Sequence, residues 1–230
     1  MGSIAVGVDL GQRRDPTAIA VVEVEIRQRE RVFETAPRSD GRVYADRVID
    51  AVAEDHYVVR HLERLSLGTS YPQVAERVAA VTRGAVARSG NWPMLYVDAT
   101  GVGQPVVDVL RAAGVQAHLK PTYFTHGDRR TEDNGEVKLG KAWIVSYLQA
   151  LLQGGRLHLP QTAEARALAA ELIDYEIRVD ENANDRYGAF KVGKHDDLVT
   201  AIGLAVQPVR RVNARLIGSG GQEHGNWRPF

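Results

Sequence analysis

Apolar and polar positions alternate near the start of the chain. Ile4–Leu10 is bounded by glycines, and Thr17–Ile26 (TAIAVVEVEI) is β-branched with a period of two towards its end, which predicts two strands joined by the polar turn Gly11–Pro16. The charged stretch that follows is poorly patterned and suggests a third strand at Arg31–Thr35 and a short helix near Val43–Ala53. His56–Leu65 (HYVVRHLERL) then reads as a further strand. The period changes at Thr69–Ser89, where Val74, Val78, Val81 and Ala85 share one helical face, with Ser70 or Thr69 as N-cap, Pro72 in the first turn and Gly90 beyond the end. Pro93–Asp98 is a short apolar strand. Gly103–Ala113 is a helix with Val106, Val109 and Leu110 inward and Gly114 as its stop.

Val115–Thr122 predicts another strand, Thr125–Gly135 a polar loop, and Lys138–Gln153 a helix ending at Gly154–Gly155. Arg156–Leu159 has the length of an edge strand only. Thr162–Tyr175 is helical by its Leu168 and Leu172 spacing, Ile177–Val179 and Tyr187–Val192 suggest a late hairpin, and Asp196–Val206 is a final buried helix. The order β-β-β-α-β-α-β, then helices and a hairpin, implies an α/β fold: a mixed sheet flanked by helices. Residues 1–208 are expected to form one domain, and 209–230 a basic, Gly-rich tail.

With 44% hydrophobic and 25% charged residues, the 230-residue chain has the makings of a sizeable core, and neither disorder nor a fibrous repeat accounts for it. Lys+Arg and Asp+Glu both number 29, so overall basicity argues for no nucleic-acid partner, and any basic surface must be local. The absence of cysteine excludes a disulfide scaffold and a thiolate zinc site. No apolar segment approaches the ~20 residues that span a bilayer. A cytoplasmic protein with no membrane partner is the expectation.

Three acidic positions stand at the ends of predicted elements: Asp9 closes the first strand, Asp98 closes Met94–Asp98, and Asp196 with Asp197 opens the last helix. Open α/β sheets bring such residues together at the carboxyl ends of adjacent strands, where Asp9 and Asp98 would meet. Two carboxylates ~4 Å apart repel by about 4 kcal/mol at an effective dielectric near 20, a cost that a bound divalent cation removes. Oxygen ligands without cysteine favour Mg²⁺ or Mn²⁺, and two such ions suit phosphodiester hydrolysis. Taken singly, each Asp is equally at home as a turn former or helix cap. Jointly they are more telling, because each borders a nearly uncharged apolar run. Asp15, in the turn before Pro16, is the weaker addition, within reach of Asp9.

Asp98–Gly103 (DATGVG) lacks the glycine pattern and the lysine of a phosphate loop, and its glycines suit a tight turn into the next helix. The seven histidines form no metal-ligand spacing. His195 adjoins Asp196 and Asp197, where it serves either to contact a phosphate or water or simply to enter the helix. Basic residues cluster twice: Arg129, Arg130, Lys138 and Lys141 flank one helix start, and Lys191 with Lys194 precede the acidic pair. Positive charge beside a metal site suits a polyanion such as DNA, although a solvated face is the commoner meaning of such residues.

The segments GVDLGQRRDPTAIAVVEV, RHLERLSLGTSYPQVAERVAAV, LYVDATGVGQPVVDVLRAAG, VKLGKAWIVSYLQALLQGGRLHLP and KHDDLVTAIGLAV, in that order, resemble the nuclease domain of tailed-phage large terminase subunits from about Ile4 to Val206. The resemblance implies an RNase H-like fold and a metal-dependent endonuclease that cuts concatemeric double-stranded DNA during genome packaging, in the host cytoplasm. It matches Asp9, Asp98 and Asp197 to the family's acidic triad, with Asp196 and Asp15 as auxiliary ligands. Many relatives carry Glu where Asp98 stands, so the arm is shorter here. The resemblance further implies the phage portal and the small terminase subunit as partners of the full-length protein. The family's packaging ATPase lies N-terminal to the nuclease, and its phosphate loop does not occur in this sequence, so the chain is expected to be a nuclease domain without the ATPase. Three other readings compete: a Holliday-junction resolvase of the same fold; a sugar-kinase or actin-like ATPase, which shares the D-L-G opening but would need a late adenosine loop; and a non-catalytic assembly module.

Overall fold

In the computed structural model, residues 2–11, 15–33, 48–101, 103–174, 176–179, 185–188 and 196–207 are described. The chain opens with three consecutive antiparallel strands, β1 (Ser3–Asp9), β2 (Ala18–Phe33) and β3 (Val48–Arg64), followed by helix α1 (Tyr71–Ser89). Strand β4 (Met94–Asp98) and helix α2 (Gly103–Ala112) form a β–turn–α unit, and β5 (His118–Thr125), β6 (Arg130–Asp133) and β7 (Glu136–Gly140) complete one side of the sheet. Helix α3 (Lys141–Gln153), the two-residue β8 (Leu157–His158), α4 (Ala163–Asp174), the hairpin β9 (Glu176–Val179) and β10 (Asp185–Gly188), and α5 (Asp197–Ala205) finish the described chain. The main sheet has eight strands in the order β6-β7-β5-β4-β1-β2-β3-β8. It is the mixed, helix-flanked α/β sheet that the pattern implies.

The alternation along β1 sorts its side chains between two cores. Ile4, Val6 and Val8 face α1 and α2, packing with Val74, Val78, Val81 and Leu110. Ala5 faces the other way, into the core built by α3, α4 and α5, and the two-residue period puts Gly7 and Asp9 on that same face. Apart from Asp197 and Thr200, helix α5 is apolar on every side, and it is buried throughout, because it lies beneath α3 and α4 against the middle of the sheet. Its seat on β1 is set by Gly7. A Cβ there would lie 2.1 Å from the Ala201 carbonyl oxygen and 2.6 Å from the Ala205 nitrogen, so only glycine lets the two backbones meet. On the opposite flank a Cβ at Gly203 would strike Ile144 of α3 at 2.3 Å.

Several boundaries depart from the sequence pattern. Arg31–Phe33 continues β2 instead of forming a separate strand, and Val48–Ala53 belongs to β3, not to a helix. The β2–β3 ladder runs unbroken from Ala18↔Arg64 to Phe33↔Val48 apart from one bulge, and this pairing overrides a weak helical spacing in a segment already rich in β-branched residues. Residues 34–47 lie outside the described residues. The region expected to be a polar loop carries the β6–β7 hairpin, closed by Asn134 and Gly135 at φ 50° and 83°, as a type I′ turn requires. Helix α3 consequently starts at Lys141 and not Lys138. Of the late hairpin, Tyr187 and Gly188 fall in β10, and residues 189–195 lie outside the described residues.

The Gly7 contact is backbone against backbone, so Gly7→Ala is expected to cost about 2–3 kcal/mol and to lower the Tm by roughly 5–10 °C. Thermal and urea unfolding followed by circular dichroism would check this; unchanged stability would mean that α5 does not seat on β1 in this way.

Candidate functional site

Strands β1 and β4 are neighbours and parallel, with Val8 opposite Val97, so Asp9 and Asp98 stand side by side one residue further on at the carboxyl ends of the two strands. Asp9 is also paired with Ala18 on β2, and Ala18 with Arg64 on β3. A row therefore crosses the sheet, from Asp98 through Asp9 and Ala18 to Arg64, on the face covered by α5. Gly7 and Asp9 share that face, and Ala201, which Gly7 contacts, lies one helical turn after Asp197. The seating of α5 on Gly7 thus carries Asp197, and Asp196 before it, over the acidic end of the row.

The electrostatics register this convergence. Burial pushes the Asp9 carboxyl well up from its ordinary value, Asp98, Asp196 and Asp197 push it further, and Lys141 acts against them. Burial also raises Asp98, offset by hydrogen bonding to Thr100 and by Lys141. The Thr100 N–H donates to Asp98 Oδ1 at 2.8 Å, and the Phe124 N–H donates to Thr100 Oγ1 at 2.7 Å, which ties the turn after β4 to β5. Gly101 at φ 83° completes that turn. That conformation is the role a tight turn gives the glycine.

Two residues that the sequence did not point to complete the site. The Arg64 guanidinium donates through Nε to Asp197 Oδ2 and through Nη2 to Glu171 Oε1. Glu171, buried on α4, accepts from the Leu198 and Val199 N–H groups with Oε2 at 3.0 and 3.1 Å, and so caps the first turn of α5. Its carboxyl is pushed up to about 7, first by burial and then by the Asp197 charge, against the pull of Arg64 and the two N–H groups. Its position three residues after the buried Leu168, on the inward stripe of α4, is a signal open to sequence reading. Arg64 offers no such signal, because only the β2–β3 register aligns it with Asp9.

The other expected residues are distributed unevenly. Lys141 starts α3, with Nζ 5.6 Å from the Phe124 ring centroid, and its field reaches Asp9 and Asp98. Arg129 and Lys138 are exposed on the β6–β7 side. Arg130 donates to Gln207 Oε1 at 2.9 Å and to Glu132 Oε2 at 3.0 Å, near the end of α5 remote from Asp197. Asp15 is exposed in the β1–β2 loop, which Thr17 closes by exchanging hydrogen bonds with Gly11 at 3.1 and 3.2 Å. Lys191, Lys194 and His195 lie outside the described residues.

All the acids at the row present hard oxygen donors, the set that suits Mg²⁺ or Mn²⁺, and Asp9 lies in the field of three further carboxylates. In chemistry they fit a divalent cation. Their convergence is one of field, not of ligation: among the described residues no three carboxylate or imidazole groups stand close enough together to hold a metal ion. Thr100 holds one oxygen of Asp98, and Arg64 one oxygen of Asp197.

Solved structures with this fold include the large terminase nuclease from thermophilic phage G20c with bound magnesium, 18% identical over 89% of this chain and 80% of that one, with a TM-score of 0.56. The Thermus phage P74-26 large terminase nuclease domain is 16% identical over 89% of this chain and 78% of its own, with a TM-score of 0.54. The HK97 bacteriophage large terminase is matched over 90% of this chain but 39% of its own length, at 14% identity and a TM-score of 0.50. No family model matches the sequence, and no curated protein is similar to it. The shared feature is the fold, an RNase H-like mixed sheet. Among the described residues no helix is long and apolar enough to cross a membrane.

Asp9 and Glu171 both bind protons more tightly in the folded state than in the unfolded chain, so their contribution to stability is complete at acidic pH and declines as pH rises, for Glu171 through about 7. In EDTA the Tm of the wild type is expected to fall between pH 5 and 8, with at most about 3 kcal/mol of that loss from Glu171. Glu171→Gln should flatten the curve; parallel curves for the two proteins would contradict the environment assigned to Glu171.

Proposed function

We propose that this chain is a metal-dependent endonuclease that hydrolyses phosphodiester bonds of double-stranded DNA during viral genome packaging, with little sequence preference. The observation that carries the reading is the pairing of Asp9 and Asp98 at the carboxyl ends of adjacent parallel strands, with α5 bringing Asp197 over them. The likeness to phage terminase nuclease structures, one of them with bound magnesium, supports it.

Asp9, Asp98 and Asp197 would hold the divalent cation, with Asp196 and Asp15 as auxiliary ligands. One or two Mg²⁺ or Mn²⁺ ions, when bound, would supply an activated water and stabilisation of the leaving 3′ oxygen. The chain's own residues do the remaining work. Asp9, deprotonated as pH rises through its raised value, supplies the shared anionic oxygens between the two strands. Thr100 holds Asp98 in one orientation, and Lys141 sets a positive charge beside both acids, where a DNA phosphate would be drawn. Lys191, Lys194 and His195, just before Asp196, extend that attraction along the DNA, with Lys138, Arg129 and Arg130 as further contacts. The portal and the small terminase subunit are the partners this role implies, in the host cytoplasm.

Purified protein is expected to nick and linearise supercoiled plasmid with Mg²⁺ or Mn²⁺ and to leave it intact in EDTA. Asp9→Asn, Asp98→Asn and Asp197→Asn should each reduce cleavage by about a hundredfold or more, beyond the 10–100-fold typical of changes outside the ligand set. Wild-type rates in the folded variants would sink the assignment. Strong preference for a four-way junction over linear duplex would instead indicate a junction resolvase, and ATP hydrolysis without nicking an ATPase.

DNA binding should weaken with salt along a log–log slope of about −0.9 per phosphate contacted. Lys191→Ala with Lys194→Ala should make the slope shallower by about two, measured by fluorescence anisotropy. An unchanged slope would place the DNA elsewhere.

A further inference from the structure

Arg64 is the one cation among the described residues shown joining an acid of the candidate site to a second buried carboxylate. It lies in the same cross-strand row as Asp9, with only the Ala18 methyl between them on β2. Nε binds Asp197 Oδ2 and Nη2 binds Glu171 Oε1, while the other oxygen of Glu171 is held by the Leu198 and Val199 N–H groups at 3.0 and 3.1 Å. The side chains of Asp197 and Glu171 are only 2% and 9% exposed. A closed circuit results, running from β3 through Arg64 and Glu171 to the backbone of the two residues that follow Asp197 in the first turn of α5. The planar guanidinium fork reaches both carboxylates at once, which an ammonium cannot do in the same geometry.

Resting on the reading proposed above, we infer that Arg64 is a positioning residue and an internal counter-ion for Asp197: bracketed by Glu171, it fixes the Asp197 carboxylate and restrains its hold on a divalent cation. Two consequences of opposite sign follow. The orientation supports turnover, because Asp197 is kept in one geometry. The charge opposes cation binding, because a guanidinium already occupies one oxygen of a prospective ligand and adds a like charge beside the incoming ion. Glu171 moderates the second effect by drawing part of Arg64's charge to itself. A residue that served only to hold α5 in place would not behave this way, since loosening α5 would weaken cation binding and never strengthen it.

The test is isothermal titration of Mn²⁺ into the full chain, beside kcat and KM for plasmid cleavage, with folding checked by circular dichroism. Arg64→Gln is expected to bind Mn²⁺ roughly tenfold more tightly, while kcat falls and KM for DNA stays unchanged. Arg64→Lys restores the charge but not the fork, so Mn²⁺ affinity should return towards the wild type while kcat stays low. Glu171→Gln leaves Arg64 to Asp197 alone and should weaken Mn²⁺ binding several-fold. Equal or weaker Mn²⁺ binding by folded Arg64→Gln would overturn the inference. If that variant does not fold, unchanged or tighter binding by Glu171→Gln does the same. A wild type that binds no Mn²⁺ would remove the endonuclease reading along with this one, whereas wild-type binding with indistinguishable variants would remove this one alone.

Discussion

At Gly7 the backbones of β1 and α5 come so close that a single methyl group would lie 2.1 Å from the Ala201 carbonyl oxygen. The placement of the site depends on that approach. A strand can present Asp9 at its end without help, and a parallel neighbour can set Asp98 beside it, but nothing local in the sequence connects either to a helix that starts 188 residues after the first and 99 after the second. Gly7 makes the connection two residues before Asp9, and Ala201 makes it one turn after Asp197, so the two acids are registered by the same contact. Gly203 against Ile144 presses α5 from its other flank, which leaves the helix little freedom to slide.

Packing that brings several acids together creates an electrostatic problem, and the surrounding residues show how it is divided. Asp9 takes the largest share: burial and three like charges favour its protonated form. Asp98 is eased by Thr100 and Lys141, and Asp197 by Arg64. Glu171 both serves and burdens this arrangement, since it caps α5 and anchors Arg64 yet adds a buried carboxyl beside Asp197. Core packing alone would be better served by apolar residues at these positions, because buried ion pairs seldom stabilise more than well-packed hydrocarbon. Their presence on the face under α5 is consistent with the proposed cation site.

Much of this was legible in the chain. The period-two run of β1, the DATG turn after β4 and the acidic opening of an apolar helix located Asp9, Asp98 and Asp197 at element ends, and the α/β mixture followed from the order of elements. Asn134-Gly135 was equally readable as a hairpin turn, but the polar residues around it masked the two short strands it joins. The long β2–β3 ladder was harder, because its distal half is stabilised by pairing across the hairpin more than by any amphipathic pattern. Glu171 left a trace, a charge on the buried stripe of a helix. Arg64 left none, since its role arises from the strand register that places it in line with Asp9 and from the helix that lies over both.

Asp9, Asp98 and Asp197 are proposed to share a divalent cation. Diffraction from crystals soaked in Mn²⁺, recorded for its anomalous signal, tests this most directly. A shared cation is expected to give one or two anomalous peaks between the carboxyl ends of β1 and β4, with oxygens of Asp9 and Asp98 as ligands and Asp197 joining them from α5. A Mn²⁺-soaked crystal with no peak at that position, or with the ion held by other residues while Asp9 and Asp98 remain apart, would contradict the proposal.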